Sequence, residues 1–169
     1  MNGRVRSIAE GGAAVAGAAL ACALLVNWAV PGGTRTPPAS VTLVTERSQD
    51  LDLGSADETL GRAMLAPASP ALTRVVTARN ATAGALVVRL RAVPRDASLD
   101  GALAFRIRSG GTTLFSGRLW KLREHGSRAF TIPSHGTVRV VVRTWLPAHS
   151  IGFAARDETV PLQFLTEAA

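Results

Sequence analysis

The residues that most often hold metals in proteins are few in this sequence and widely spaced. The three histidines, His125, His135 and His149, stand singly and far apart in the chain. A zinc peptidase of the common type needs two histidines one helical turn apart with a glutamate between them, so that both imidazoles reach one metal. The spacing therefore favours ordinary solvated histidines, and no metal-binding or catalytic residue is predicted. A metallopeptidase would require distant histidines and carboxylates to converge on one ion.

Other chemical patterns also lack a necessary component. Two pairs of adjacent carboxylates, Asp57 with Glu58 and Asp157 with Glu158, could each contact calcium. Calcium takes several oxygen ligands spaced through one loop, which neither pair offers. No serine lies in a Gly-x-Ser-x-Gly pattern, and the single cysteine, Cys22, lies in a hydrophobic segment. Hydrolase schemes that use either nucleophile therefore lack their first residue, and no cofactor is predicted.

Charge is the most informative chemical feature of the sequence. The chain carries 19 basic and 12 acidic side chains, and eleven basic residues against three acidic ones lie between Arg89 and Arg143. A basic surface attracts anionic partners such as cell-wall polymers, lipid headgroups or extracellular nucleic acid. No exposed aromatic residue is predicted among the arginines, which disfavours nucleic acid. Solubility and protection of strand edges are the alternative explanation. The residues predicted to form the basic face are Arg89, Arg91, Arg106, Arg108, Arg139 and Arg143.

Residues 46–58 have the opposite charge, with five acidic side chains and Arg47 as the one basic residue. An acidic strand of one molecule docking on the basic sheet of the next would gain affinity from backbone hydrogen bonds and orientation from charge. This self-association hypothesis predicts salt-sensitive oligomers. Its acidic residues are Glu46, Asp50, Asp52, Asp57 and Glu58.

The elements that position these charges are predicted to be strands, because apolar residues recur at every second position from Val41 onward. In one example Leu103, Phe105 and Ile107 face one way while Arg106 and Arg108 face the other. Such alternation is typical of antiparallel strands with one face on a core. The predicted fold is an all-β antiparallel β-sandwich of jelly-roll type, with a short helical turn near 56–65. The strands are expected at 41–45, 51–53, 72–79, 84–93, 102–108, 112–116, 128–132, 137–145 and 159–165.

The N-terminus predicts export. Arg4 and Arg6 precede an uncharged segment, residues 11–30, which as one hydrophobic helix matches the thickness of a bilayer. The arginines favour a cytoplasmic N-terminus, so the rest of the chain is expected outside the cell. Residues 1–30 are therefore a signal peptide or a membrane anchor, residues 31–40 a linker, and residues 41–169 the β-sandwich domain. Secretion after cleavage and retention in the membrane both stay open.

A series of short segments supports a family resemblance. Leu65-Ala66-Pro67 is followed by a strand that ends in Asn80, then by GTTLFSGRL from residue 111 and by TVPLQFLTE from residue 159. In this order the segments resemble the TasA and camelysin family of exported bacterial proteins, whose signal peptides require a dedicated signal peptidase of the W type. Ala68 and Ser69 depart from that pattern, because a glycine and an acidic residue are usual there.

The resemblance implies a jelly-roll domain outside a bacterial cell, with relatives that assemble into surface fibres and one relative described as a metalloendopeptidase. The leading hypothesis is a non-enzymatic, exported or surface-anchored protein that acts by interaction or assembly, as a subunit or accessory of an extracellular matrix or fibre. A camelysin-like metalloendopeptidase and a basic module that binds anionic cell-wall polymer are the alternatives. One further motif, Asn80-Ala81-Thr82, matches the N-glycosylation pattern, but the asparagine is expected to end its strand by bonding nearby backbone groups.

Overall fold

The structure, a computed structural model, describes residues 37–46, 48–54, 59–93, 97–150, 153 and 156–169. In these residues ten strands form two five-stranded sheets that enclose one hydrophobic core, which confirms the all-β sandwich. Residues 1–30, most of the predicted linker, and Asp57 with Glu58 lie outside the described residues. Over the described ranges, none of the helices has the length and apolar character needed to span a bilayer.

Sheet A holds the first and last strands of the domain. Its spatial order is β3 (Thr59–Leu65), β1 (Ala39–Thr45), β10 (Asp157–Ala168), β5 (Leu86–Ala92) and β8 (Phe130–Ile132). Strand β1 lies between β3 and β10, antiparallel to the former and parallel to the latter. The prediction of a purely antiparallel sandwich is therefore wrong at this one pair, because β1 enters sheet A in the same direction as β10.

Sheet B carries four of the six arginines predicted to form the basic face. Its order is β2 (Leu51–Leu53), β4 (Leu72–Asn80), β9 (Thr137–Trp145), β6 (Ala104–Ser109) and β7 (Thr112–Arg118), all antiparallel. Among the described strands, β6 and β7 are the only two consecutive ones that share a sheet. The other connections cross between the sheets, so the core is closed by contacts between residues distant in sequence.

Two elements differ from the sequence-based expectation. The segment predicted to hold a helical turn near 56–65 contains the edge strand β3, whose backbone pairs with β1. A short helix, α1 (Leu119–His125), follows β7 and was not predicted. Its two buried residues, Leu119 and Leu122, pack into the core. The expected linker also ends earlier than residue 40, because β1 begins at Ala39.

The core follows the predicted alternation. Val88 and Leu90 of β5 face inward, as do Ile107 of β6 and Val140 with Val142 of β9, and all five are fully buried. Burial of such a side chain stabilises the fold by roughly 1.5–3 kcal/mol relative to its exposure. The residues between them point to water, and this alternation places arginines on the outer surfaces of both sheets.

Asn80 closes the end of β4 as expected from the sequence. Its side chain is fully buried, and Nδ2 donates to the carbonyl oxygens of Gly84 at 2.7 Å, Ile132 at 3.2 Å and Pro133 at 3.1 Å. Its Oδ1 accepts from the backbone N–H and the hydroxyl of Thr82, both at 2.8 Å. We call this bonded cluster the Asn80 corner. It joins the end of a sheet B strand to the β8 end of sheet A.

A second contact ties the two sheets together at an edge. Arg74 of β4 donates from Nε to the carbonyl oxygen of Leu60 in β3 at 2.8 Å. The guanidinium lies so close to Gly61 that a Cβ there would stand 2.3 Å from Nε, and Gly61 has a φ of 155°. The φ angle favours glycine at this point of β3, and a larger residue would also have to displace the end of the Arg74 side chain.

The helix α1 is held by polar contacts at its C-terminal half. Arg123 forms an ion pair with the buried Asp100, and its backbone carbonyl accepts from Nε of Arg91 at 2.7 Å. Burial raises the pKa of the Asp100 carboxyl, and the positive charge of Arg123 opposes that shift. These contacts join the helix to the turn before β6 and to β5.

Candidate anion-binding face

Four of the six predicted arginines share one surface. Arg106 and Arg108 lie on β6, and Arg139 and Arg143 lie on β9, which is the neighbouring strand in sheet B. All four are exposed, because the residues that alternate with them are buried in the core. We call the surface formed by these four residues the arginine face.

The strand register brings two of these arginines side by side. Arg106 lies directly opposite Arg143, and the next residues along that row are the neutral Thr73 on β4 and Ser116 on β7. Directly opposed side chains in a sheet have Cβ atoms about 4.5–5.5 Å apart, and like charges at that separation repel. The row therefore holds two cations without an acidic neighbour on either side.

Among the described residues, no acidic side chain forms an ion pair with this surface. In the described part of the chain, the ion pairs join Arg62 to Asp157, Arg123 to Asp100 and His125 to Glu124, so none involves the arginine face. Arg108 donates from Nη2 to the carbonyl oxygen of Gly111 at 3.0 Å, which fixes its position without cancelling its charge. The positive charge of the face is thus available to an external anion.

An aromatic side chain also belongs to this surface. Trp145 follows Arg143 by two residues on β9, so both point to the same side, and the guanidinium carbon of Arg143 lies 5.8 Å from the centre of the Trp145 ring. This separation is within the range of a cation–π contact. The sequence predicts no exposed aromatic residue among the arginines, and Trp145, which is half-buried, adds an aromatic side chain that this expectation did not consider.

Arg106, Arg143 and Trp145 line an open pocket of about 430 Å³. The loop of residues 68–71, which connects β3 to β4, also lines it. Three hydrogen bonds hold this loop: the backbone N–H of Ala68 donates to the carbonyl oxygen of Leu146 at 3.2 Å, the backbone N–H of Ser69 donates to the carbonyl oxygen of Ala66 at 3.0 Å, and the hydroxyl of Ser69 accepts from the backbone N–H of Ala66 at 3.0 Å. The pocket is therefore lined by a hydrogen-bonded loop and by two arginines.

The remaining two arginines of the predicted basic face lie elsewhere. Arg89 and Arg91 are exposed, as expected, but they belong to β5 and lie on the outer surface of sheet A. Arg89 is paired with Leu165, and Arg91 with Gln163. A single six-arginine face is therefore wrong, because the connection from β5 to β6 crosses from one sheet to the other.

The described residues of the acidic segment contact their own chain. Residues 39–45 form β1 in sheet A, and β2 adds to the β4 edge of sheet B, where Asp52 lies opposite Arg79. Asp50 accepts a hydrogen bond from the hydroxyl of Thr166 at 2.5 Å, and the backbone N–H of Glu46 donates to Leu162 at 3.1 Å. Strand β2 of the acidic segment thus joins sheet B of its own chain. Docking of this segment on the sheet of another molecule stays a prediction.

The histidines lie on different elements of the folded chain. His125 ends α1 and lies 3.9 Å from Glu124, His135 occupies a turn with a φ of 55°, and His149 is exposed. Where the structure describes the chain, no group of three histidine, cysteine or acidic side chains is close enough to hold a metal ion. The pair Asp157 and Glu158 is also divided, since the first contacts Arg62 and the second is buried against Ser98.

Comparison of the sequence with models of known protein families gives no match, and comparison with curated proteins gives none either. The resemblance to the TasA and camelysin family therefore stays a prediction. What the site can do has to be argued from its geometry.

Sequence reasoning missed Trp145 and the loop of residues 68–71. A signal for Trp145 was present, because it continues the outward alternation of Arg139 and Arg143 along the same strand. No local signal marks the loop, since it meets β9 only through the long-range pairing of β4 with β9.

Proposed function

We propose that this protein acts by binding rather than by catalysis, as an exported β-sandwich that holds an anionic polymer through the arginine face. The observation that carries this proposal is the placement of Arg106, Arg108, Arg139 and Arg143 on one side of sheet B without an internal counter-charge among the described residues. The position of the partner outside the cell rests on the basic residues and hydrophobic segment at the N-terminus.

The finer fold assignment is part of the same proposal. The strand orders β3-β10-β5-β8 and β4-β9-β6-β7 are those of a jelly roll, if β1 is counted as an insertion and β2 as an added edge. This arrangement agrees with the fold that the resemblance to TasA and camelysin implies. The membership in that family is likewise a proposal.

The spacing of the charges suits an extended ligand. Arg139 and Arg143 are four residues apart on one strand, which corresponds to roughly 13 Å at 3.3 Å per residue. Arg106 and Arg108 run beside them on β6, so the face offers cations along two parallel lines. A polymer with repeated negative charge can contact several of these groups at once, whereas a small ion contacts one or two.

Binding of anionic polymers to the full chain tests this function. The chain, purified in an uncharged detergent, is applied to immobilised polyuronate and polyphosphate at low and at high salt. Replacement of all four arginines of the face by glutamine should weaken binding at least about tenfold, because each lost charge-assisted hydrogen bond removes affinity. Wild-type binding should also fall as salt rises.

The matched control changes the same residue type on the other sheet. Arg89→Gln combined with Arg91→Gln lowers the net charge but leaves the arginine face intact. Its binding should stay within about twofold of wild type, since the partner contacts sheet B. Equal losses in both variants, or no binding of either polymer by the wild type, would refute the proposal.

Assembly is a second candidate function, favoured by the edge of sheet A. Within the described residues β3 forms that edge, and its Met64 is the most exposed large hydrophobic side chain, at 59%. An edge strand presents unpaired backbone groups to another chain. Sedimentation of the full chain over a range of concentration and salt tests this candidate, and a monomer under all conditions would rule it out. Metal analysis with a protease assay tests the metalloendopeptidase alternative.

A further inference from the structure

We propose that the pocket lined by Arg106, Arg143, Trp145 and the loop of residues 68–71 binds one acidic sugar unit of a polysaccharide. In this arrangement the sugar carboxylate lies on the two guanidinium groups, and the sugar ring lies against Trp145. The inference rests on the proposed function and deepens it, because it names the chemical class of the polymer that the arginine face holds.

The carboxylate is favoured by the opposition of the two arginines. Arg106 and Arg143 are paired across β6 and β9, so their positive charges lie side by side. A guanidinium is a planar fork of donors that matches the two oxygens of a carboxylate. An anion placed between the two groups would replace their mutual repulsion by two attractions. The guanidinium carbon of Arg143 lies 5.8 Å from the centre of the Trp145 ring, so an aromatic surface adjoins the charged pair.

The sugar ring is favoured by the rest of the lining. Trp145 adds an apolar aromatic surface beside the charges, and aromatic rings with a few placed polar groups are typical of small-molecule sites. The volume of about 430 Å³ lies at the lower end of the roughly 300–1,000 Å³ common for such sites. Ser69 already accepts a hydrogen bond from Ala66, so its own O–H can donate to a sugar hydroxyl.

A phosphate polymer fits the same pocket less well. Phosphate groups would gain from the arginines, but they carry no apolar ring surface to pack on Trp145. Nucleic-acid strands bind by stacking successive bases on several aromatic residues. Of the described residues that line this pocket, Trp145 is the one aromatic residue. The lining therefore matches one sugar unit, which has a single ring and a single carboxylate.

Calorimetric titration of the full chain with three short ligands tests this inference. The ligands are trigalacturonate, the neutral trisaccharide maltotriose, and tripolyphosphate, in a detergent whose headgroup is uncharged and contains no sugar. Trigalacturonate should bind the wild type at least about tenfold more tightly than maltotriose. Trp145→Ala should weaken trigalacturonate about tenfold while the affinity for tripolyphosphate changes less than about twofold.

Further variants separate a binding effect from misfolding. Trp145→Phe keeps an aromatic ring and should retain most of the affinity for trigalacturonate. Arg143→Lys keeps the charge but loses the planar fork, so it should weaken trigalacturonate several-fold. Arg139→Gln is the control on the same face outside the pocket, and it should affect both anionic ligands equally. Circular dichroism checks that each variant retains the wild-type strand content.

The outcomes distinguish this inference from the proposed function. Equal affinity for trigalacturonate and tripolyphosphate, with no effect of Trp145→Ala or Trp145→Phe on either, would overturn the sugar pocket and leave the arginine face intact. Failure of the wild type to bind any anionic ligand or polymer would overturn both. A selective loss of trigalacturonate in Trp145→Ala that Trp145→Phe restores is the result expected.

Discussion

The Asn80 corner and the arginine pair of sheet B use polar side chains in opposite ways. At the corner, the amide of Asn80 is fully buried and its nitrogen and oxygen are both bonded to groups of the same chain. On the arginine face, Arg106 and Arg143 are exposed, lie opposite each other and have no acidic partner among the described residues. The first arrangement stabilises the fold, whereas the second costs stability unless something external binds.

The difference gives a criterion for reading this surface. A polar group whose bonds are satisfied within the chain is explained by folding. Cations held side by side by strand register, with neutral residues on both sides, are not explained by folding, because like charges directly opposite destabilise a sheet. The arginine pair is therefore the better candidate for function, and variants in each region should separate stability from binding.

The largest effect is expected at the Asn80 corner. Asn80→Ala would remove all five hydrogen bonds of a fully buried side chain, the one to Ile132 in a buried setting and the four to Gly84, Pro133 and Thr82 in part-buried ones. We expect the free energy of unfolding to fall by about 3 kcal/mol or more. Chemical denaturation followed by circular dichroism measures this loss.

Asn80→Asp is the informative companion to this variant. The carboxylate keeps an acceptor for Thr82 but replaces the donor that serves three carbonyl oxygens, so it should also destabilise the fold. Polymer affinity per folded molecule should stay unchanged in both variants. A loss of affinity at full folding would contradict the assignment of this corner to stability alone.

A middle-sized effect is expected where an arginine serves the fold. Gly61→Ala would place a Cβ 2.3 Å from Nε of Arg74 and would put alanine at a φ of 155°. We expect a loss of about 1–3 kcal/mol in the free energy of unfolding. Combining Gly61→Ala with Arg74→Ala removes the clash. In a double-mutant cycle, the loss of stability in the double variant should therefore be smaller than the sum of the losses in the two single variants. If the two losses of stability were strictly additive, the Arg74 guanidinium would not be in close contact with residue 61.

The strands whose one face is clearly apolar could be predicted from sequence. Arg89 separates Val88 from Leu90, and Arg139 and Arg143 flank the segment with Val140 and Val142. The predicted burial of these four apolar residues is confirmed. The edge strand β3 has no such pattern, because most of its residues are exposed or half-buried and pair on one side only. Helix α1 has seven residues, which is too short for its period to stand out from its neighbours.

The candidate site shows the same limit. Sequence alone predicts that the arginines point outward, since that depends on neighbours two residues away. It cannot predict which sheet each strand joins, and this decides that Arg106 meets Arg143 while Arg89 does not. Prediction of the pocket beside Trp145 would also require knowing a long-range contact, because the loop and the strand that line it are about 70 residues apart in sequence.

The smallest expected effect is a gain in stability when one of the two opposed arginines is removed. Arg106→Thr removes one of the two opposed cations from an exposed position, so the free protein should become more stable by about 0.5 kcal/mol at low salt. Arg108→Thr is the matched control, because Arg108 lies opposite Val141 and Thr113, where no like charge faces it. Its effect on stability should be nearer to zero.

Salt and ligand make this prediction testable by the Tm alone. The gain from Arg106→Thr should shrink as salt rises, because screening weakens the repulsion that the substitution removes. Bound polyuronate should raise the Tm of the wild type more than that of the variant, since the ligand and the substitution relieve the same repulsion. If Arg106→Thr instead lowers the Tm at low salt, the two guanidinium groups do not repel, and the case for an external anion at this pair would lose its physical basis.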